Sequence, residues 1–284
     1  MTGKQRVTAL VPAYQAAGFI HKTLDSLALQ THPDFEVIIS VDLCQDATYA
    51  ICQDYCARYP NFKVSRHDCR LGYVGNCNYL LSQADSEYAL FAFHDDELAP
   101  DYLEKLCGVL DRKPEAVMSY SDVLLTHVDG QQTHWAYREM DGLRDRVKRG
   151  RKMLERTRLW WVPNRGIFRL AWARRINGLK RHGAGEFSSD WPWLFHMSLL
   201  GEFVRVPETL CYKFYKPGSL SRQWAFSSEQ WFAVSLSCLR ELWRCELTVR
   251  EKLLLGVHFR SIWRLVAKIV AKRILPKGRA SKIR

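Results

Sequence analysis

The sequence predicts an α/β fold: a mainly parallel sheet flanked by helices, followed by a C-terminal helical appendage. Two observations carry this. Short, β-branched apolar runs alternate with helix-like stretches through the first half of the chain, as in parallel strands joined by crossover helices and covered on both faces. The residues able to do chemistry follow the ends of those runs, where open α/β sheets bind their ligands.

Taken in order, Val7–Val11 leads into Pro12-Ala13-Tyr14 and a helical stretch over Ala17–Gln30. Phe35–Val41 ends on Asp42 and precedes Asp46–Tyr59. Phe62–Val64 precedes Val74–Ala84, and Tyr88–Phe93 ends on His94-Asp95-Asp96-Glu97 ahead of Pro100–Asp111. Neither a G-x-G-x-x-G fingerprint nor a G-x-x-x-x-G-K-[ST] loop is present, so a phosphate must be held by other means. Three adjacent acids repel one another unless a cation or water lies among them. As a cluster at a strand end they suit Mg²⁺ or Mn²⁺, which takes oxygen ligands and in turn holds a diphosphate. The plainer reading is a polar loop whose acids favour the start of the next helix.

Composition bounds the rest. A chain of 284 residues that is 47% apolar has the means to bury a core, and no run reaches the eighteen or so apolar residues of a spanning helix. The polar start and short apolar run of MTGKQRVTALVPAY do not read as a signal peptide, so a cytoplasmic protein is expected. Nine cysteines, an odd number without a C-x-x-C pair, read as reduced structural thiols. The net charge of +12 is concentrated in residues 144–181 and 246–284, two cationic stretches suited to phosphates, anionic lipid or nucleic acid.

Three ordered segments then resemble one family. VTALVPAYQAAGFIHKTLDSLALQTHPDFEVIISVD, LGYVGNCNYLLSQADSEYALFAFHDDELAPDYLEKL and GEFSSDWPWLFHMSLLGEFVRVPETLCYKFYKPGSLSR are similar to the opening, metal-motif and catalytic segments of the family 2 inverting glycosyltransferases of the GT-A fold. The resemblance covers about residues 6–224. It implies a nucleotide-sugar donor, a glycan or lipid-linked acceptor, a Mn²⁺ or Mg²⁺ cofactor, a GT-A domain over 1–225 (nucleotide half about 1–125, acceptor half about 126–225) and a basic helical extension over 226–284.

Residue by residue, it places Pro12 and Tyr14 at the base, with the Tyr14 ring as a stacking face, and Asp42 as acceptor for base or ribose. Asp95 meets the ribose or a metal-bound water, Asp96 is the direct metal ligand and Glu97 a second one, so removing Asp96 is expected to stop transfer without unfolding the chain. The sequence departs from the family pattern where Leu43 follows Asp42, where Gln15 follows Tyr14, and where GNCN leaves Arg70 and Asn78 as the polar groups nearest the nucleotide; Asn78 is equally read as a helix cap. Asp190 aligns with the base that deprotonates the acceptor hydroxyl, with Glu186 as its competitor and an N-cap role compatible with either. Lys216 and Arg222, in a Pro217-Gly218 loop without histidine, are expected to pair with the diphosphate.

Two further stretches are read from their residues. Trp160-Trp161 offers a sugar-stacking surface, or one buried and one exposed ring. Near the end, Arg260, Arg264, Lys268 and Lys272 recur every four residues opposite Leu255, Phe259, Ile262, Val266 and Ile269. That pattern fits a helix from about Glu251 lying peripherally on the inner face of an anionic membrane, or one packed on the domain with its basic face in water. Against the transferase stand a sugar-nucleotide nucleotidyltransferase, which would bring a Gly-rich basic first loop where PAYQAAG stands, and a non-catalytic lipid- or nucleic-acid-binding protein, which leaves three acidic motifs without purpose. No nucleic-acid partner is expected.

Overall fold

The computed structural model describes residues 6–155, 159–216, 224–259 and 262–263. Strands β1 (Val7–Ala13), β2 (Phe35–Val41), β3 (Phe62–Arg66) and β4 (Tyr88–Phe91) alternate with helices α1 (Ile20–Ala28), α2 (Thr48–Arg58) and α3 (Gly72–Gln83). Short β5 (Asp96–Leu98), α4 (Tyr102–Arg112), long β6 (Ala116–Thr126) and β7 (Gln132–Trp135) follow. The second half supplies α5 (Arg146–Leu154), a 3-10 turn at Val162–Arg165, β8 (Ile167–Arg169), α6 (Leu170–Arg175), α7 (Asp190–Leu200), β9 (Glu202–Phe214), α8 (Ser228–Arg244) and α9 (Val249–Gly256).

The described strands form one sheet in the order β3-β2-β1-β4-β8-β6-β9-β5, with β7 on β6. From β3 to β4 every pairing is parallel, as the apolar runs predict; all seven residues of both β1 and β2 are buried. Beyond β4 the sheet is mixed. β8 runs antiparallel to β4 and β6, β5 antiparallel to β9, and β6 parallel to β9. The order reverses at β1, whose chain neighbour β2 lies on one side and β4 on the other. A crevice beyond the carboxyl ends of β1 and β4 is the ligand position such a reversal creates.

Helix α7 is central to the second half: Trp191 through Leu199 are all buried, which explains why its sequence is apolar all round rather than striped. It packs on α5, where Arg149 is buried and gives its guanidinium to the carbonyls of Ser198, Leu143 and Arg144. One arginine of the cationic stretch 144–181 is therefore an internal tie. On its other side a buried His196–Glu241 pair, 2.7 Å apart, joins α7 to α8. Val234, Cys238, Leu242 and Leu255 belong to the same core as the sheet, so α8 and α9 are built into the body rather than appended to it. All nine cysteines are free thiols, most of them buried.

Among the described residues no helix is long and apolar enough to cross a membrane. Helix α9 ends at Gly256 in a turn, helical backbone returns at 262–263, and the rest of the helix expected from about Glu251 lies outside the described residues. The stripe residues Arg260, Arg264, Lys268 and Lys272 lie outside the described residues, as do Arg222 and the Pro217-Gly218 pair.

Candidate active site

The ends of β1, β2 and β4 come together as the topology requires. Pro12 is buried in β1, and its carbonyl meets His94 Nδ1 at 2.7 Å, tying the two strand ends flanking the reversal. Tyr14 is half-buried just beyond β1, and Gln15 after it takes the left-handed backbone (φ 45) that a family asparagine would adopt more readily. The Arg70 guanidinium lies over the Tyr14 ring, 3.3 Å from its centroid. Tyr14 and Arg70 thus form one cationic–aromatic surface.

Asp42 acts behind that surface. Its buried carboxylate accepts from the amides of Leu43, Leu71 and Gly72 at 2.8–2.9 Å and from Arg70 Nη1. Four donors fill a carboxylate's usual acceptor positions, so Asp42 orients Arg70 and the loop into α3. Asn78 is likewise engaged elsewhere: its amide exchanges two hydrogen bonds of 2.9 Å with the backbone of Leu179, clamping α3 to the segment after α6. Both polar atoms of its amide are thereby used as a structural clamp.

The acidic cluster divides into three different environments. Asp96 opens β5 opposite Lys213 of β9. Its buried carboxylate meets Arg165 Nε at 2.9 Å and Lys213 Nζ at 3.2 Å. Both oxygens therefore face cations, and a metal ion on Asp96 would share the carboxylate with two buried positive charges. Glu97, the next residue in the strand, points to the opposite side and pairs with Lys22 at 3.5 Å. Asp96 and Glu97 are not brought together as a ligand pair, and among the described residues no group of three His, Cys, Asp or Glu side chains is placed to hold a metal.

Asp95 is less enclosed than Asp96, with 15% of its side chain exposed against 3%, and one oxygen lies 3.5 Å from Lys213. Burial alone would raise its pKa, but Lys213, His94, Lys216 and Arg165 together hold it below the usual carboxylate range. A divalent cation at this edge would have Asp95 as its carboxylate, since hard cations take oxygen ligands. Lys216 lies over the Phe19 ring and its pKa is lowered to about 8, chiefly by burial.

Asp190 begins α7. Its carboxylate accepts from Asn164 Nδ2 at 2.9 Å. Burial raises its pKa to about 6 against the opposing charge of Arg165, which leaves an ionised base near neutral pH, where general-base catalysis is most effective. Asn164 itself is buried, and its Oδ1 has no hydrogen-bond partner among the described residues. Its rival Glu186 is occupied as a cap, accepting from the amides of Tyr73 and Val74 at 2.9 and 3.1 Å and pairing with Arg181. Gly72, with φ +74, makes that possible, because a Cβ there would sit 2.6 Å from the Glu186 carboxylate.

Arg165 and Asn164 were not singled out from the sequence. The signal is present in VPNRG: Pro163 opens the 3-10 turn, and a Cβ on Gly166 would collide with the Ser119 carbonyl of β6. Only glycine lets the turn press against the sheet and aim both side chains inward. Arg165 then stacks between Phe93 and Trp161, while its charge acts on Asp96, Asp95 and Asp190 together. The tryptophan pair is held by protein rings, Trp160 stacked on Trp191 and Trp161 edge-on to Trp135. A separate cavity of about 620 Å³ by Arg6, Glu87 and Arg169 lies at the amino ends of β1 and β4, away from this constellation.

Known proteins resemble the chain in sequence and in fold. Residues 8–171 match the model of "Glycosyl transferase family 2". The chain is 32% identical over 128 residues to the poly(ribitol-phosphate) beta-N-acetylglucosaminyltransferase TarS of Staphylococcus aureus (strain Mu50 / ATCC 700699), a stretch covering 44% of this chain and 21% of that relative. Among solved structures, TarS 1–349 of S. aureus in complex with UDP-GlcNAc superposes with a TM-score of 0.71 at 18% identity, over 96% of this chain and 76% of that one. The mannosyltransferase PcManGT from Pyrobaculum calidifontis, in complex with GDP-Man and Mn²⁺, gives 0.57 at 17% identity, over 97% and 78%. At these identities the structural likeness is one of fold.

Proposed function

The chain belongs to glycosyl transferase family 2, and on that premise we propose that it transfers a sugar, with inversion, from a nucleoside-diphosphate donor to a hydroxyl of a cell-surface or lipid-linked glycan acceptor. Its fold is the GT-A fold implied by the motif resemblance. The observation that carries the reading is the placement of Arg165 between the acidic strand end and Asp190, which joins a diphosphate-binding edge to a base of suitable pKa. UDP is the proposed nucleotide, because the nearer structural likeness is to an enzyme solved with UDP-GlcNAc.

In this reading Tyr14 and Arg70 receive the base, the ring by stacking and the guanidinium by charge. Lys216, with Arg222, pairs with the diphosphate, and Asp95 is the carboxylate that would hold Mn²⁺ or Mg²⁺. Such an ion supplies neutralisation of charge on the departing diphosphate. Asp190 takes the proton from the acceptor hydroxyl as it attacks the anomeric carbon from the face opposite the leaving group. Asn164 holds the carboxylate in place through Nδ2, and its buried Oδ1 is available to the incoming hydroxyl or the donor sugar.

The decisive experiment offers purified protein a panel of nucleotide sugars with Mn²⁺ and follows nucleoside diphosphate release. UDP release that stops with excess chelator is expected; full activity in chelator would remove the cation from the reading. The pH profile is a separate test. Because Asp190 must be ionised, kcat/KM is expected to fall as the pH drops through about 6, and Asn164→Ala, which withdraws a donor from the carboxylate, should move that acid limb upward. A limb near pH 4, or one indifferent to Asn164, would contradict the assignment.

A further inference from the structure

Helix α9 is docked by one face and leaves the other uncovered. The inner face sets Leu255 against Gly150 of α5 and pairs Glu251 with Arg146 through contacts of 2.7 and 2.8 Å. On the outer face Val249, Leu253 and Val257 follow one another at four-residue spacing, one above the next, and they are 69%, 63% and 65% exposed. Leu254 lies beside them at 49%. Trp243, at the end of α8, and Trp263, just beyond the turn, are also more than half exposed. Lys252 bridges Trp243 to α9 through its ring and its carbonyl, and Trp263 Nε1 donates to the Gly256 carbonyl. Monomeric soluble proteins rarely expose so continuous an apolar surface without a use for it.

The charges around this surface indicate its partner. Each nearby acid has a cationic partner: Glu241 has Arg244, Glu246 has Arg175 and Glu251 has Arg146. Arg240, one turn before Trp243, and Arg250, one turn before Leu254, make no ion pair among the described residues, so the rim is cationic. The sequence from 260 to 284 adds nine Lys/Arg and no acid. Tryptophans at the margin, aliphatic side chains between them and unpaired arginines around them match the layers of a bilayer surface, from headgroup interface to acyl chains to anionic phosphate.

We propose that Trp243, Val249, Leu253, Leu254, Val257 and Trp263 form a docking face for an anionic phospholipid bilayer. The face is independent of the transferase assignment, since none of the six belongs to the strand-end site. It also differs from the basic stripe read from the sequence, because most of its apolar part, Trp243, Val249, Leu253 and Leu254, comes from α8 and α9 themselves.

The test is co-sedimentation of the full chain with phosphatidylcholine vesicles, with and without phosphatidylglycerol, at low and high salt. The chain is expected to bind the anionic vesicles, and more weakly as salt screens the arginines. The variant Val249→Ser/Leu253→Ser/Leu254→Ser/Val257→Ser should bind about a hundredfold less or worse, with an unchanged melting temperature because these side chains are already in water. Equal binding by the Ser variant would place the contact elsewhere and overturn the proposal. So would a wild type that ignores vesicles, or one that binds neutral and anionic vesicles alike. A concentration-dependent dimer in light scattering that the Ser variant abolishes would assign the face to a second copy, and a lowered melting temperature would assign it to the chain's own packing; either result also overturns the lipid proposal.

Discussion

Asp190→Asn is expected to bind donor with near wild-type affinity while turnover falls by about two to four orders of magnitude, the usual contribution of a positioned general base. Asparagine keeps the side-chain shape and an acceptor oxygen for Asn164, so what is lost is the capacity to take a proton. Stability should move the other way. The folded-state pKa of Asp190 is raised from 3.8 to about 6, so its contribution is most favourable below pH 4 and is lost as the pH rises through 6. At neutral pH the ionised group works against folding, and the neutral Asn variant should melt at or above the wild-type temperature, the exchange of stability for activity common at catalytic groups. UDP titration, single-turnover transfer and thermal denaturation separate the three effects. Wild-type turnover in this variant would move the base, with Glu186 next to be tested despite its capping role.

The parts of this site legible in the sequence are those with local causes. The four parallel strands were readable as short apolar runs, fully buried in β1, β2 and β4, and a parallel sheet then fixes which strand ends are neighbours. Tyr14 and Asp95 could be singled out for that reason, and Asp190 by its place in the segment that resembles the family's catalytic one. The second half resisted because β6 and β9 pair across some eighty residues and α7 is apolar on every side, so neither strand register nor helix face leaves a periodic trace.

The same limit explains the metal assignment. In the sequence Asp95, Asp96 and Glu97 are three equal acids. They become unequal only when β5 pairs with β9, setting Lys213 opposite Asp96, and when the 3-10 turn delivers Arg165 to its other oxygen. Asp42 changes role likewise: it was readable as a polar group at a strand end, but the four donors that use it come from residues 43 and 70–72, and their loop conformation is not written in their identities.

Asp96→Ala should therefore unfold the protein more readily rather than merely disarm it. Removing that carboxylate strands Arg165 and Lys213 in a buried site, and deleting one partner of a buried ion pair typically costs about 3–5 kcal/mol. For a chain of this size that is a fall in melting temperature of roughly ten degrees or more. Lys213 retains Asp95 at 3.5 Å, so part of the loss is recovered there; Arg165 has no comparable second acid within contact among the described residues. Asp95→Ala leaves the Arg165–Asp96–Lys213 triad intact and removes only the weaker, 3.5 Å partner of Lys213, so it should melt below the wild type but well above Asp96→Ala, while the strengthening of UDP binding by Mn²⁺ disappears in calorimetric titration. The two variants are thus expected to separate cleanly, one in stability and one in cation-dependent binding. An Asp96→Ala protein with wild-type melting that has lost its Mn²⁺ response would reverse the assignment, making Asp96 the ligand that its motif position suggests and the triad a feature of the cation-free protein alone.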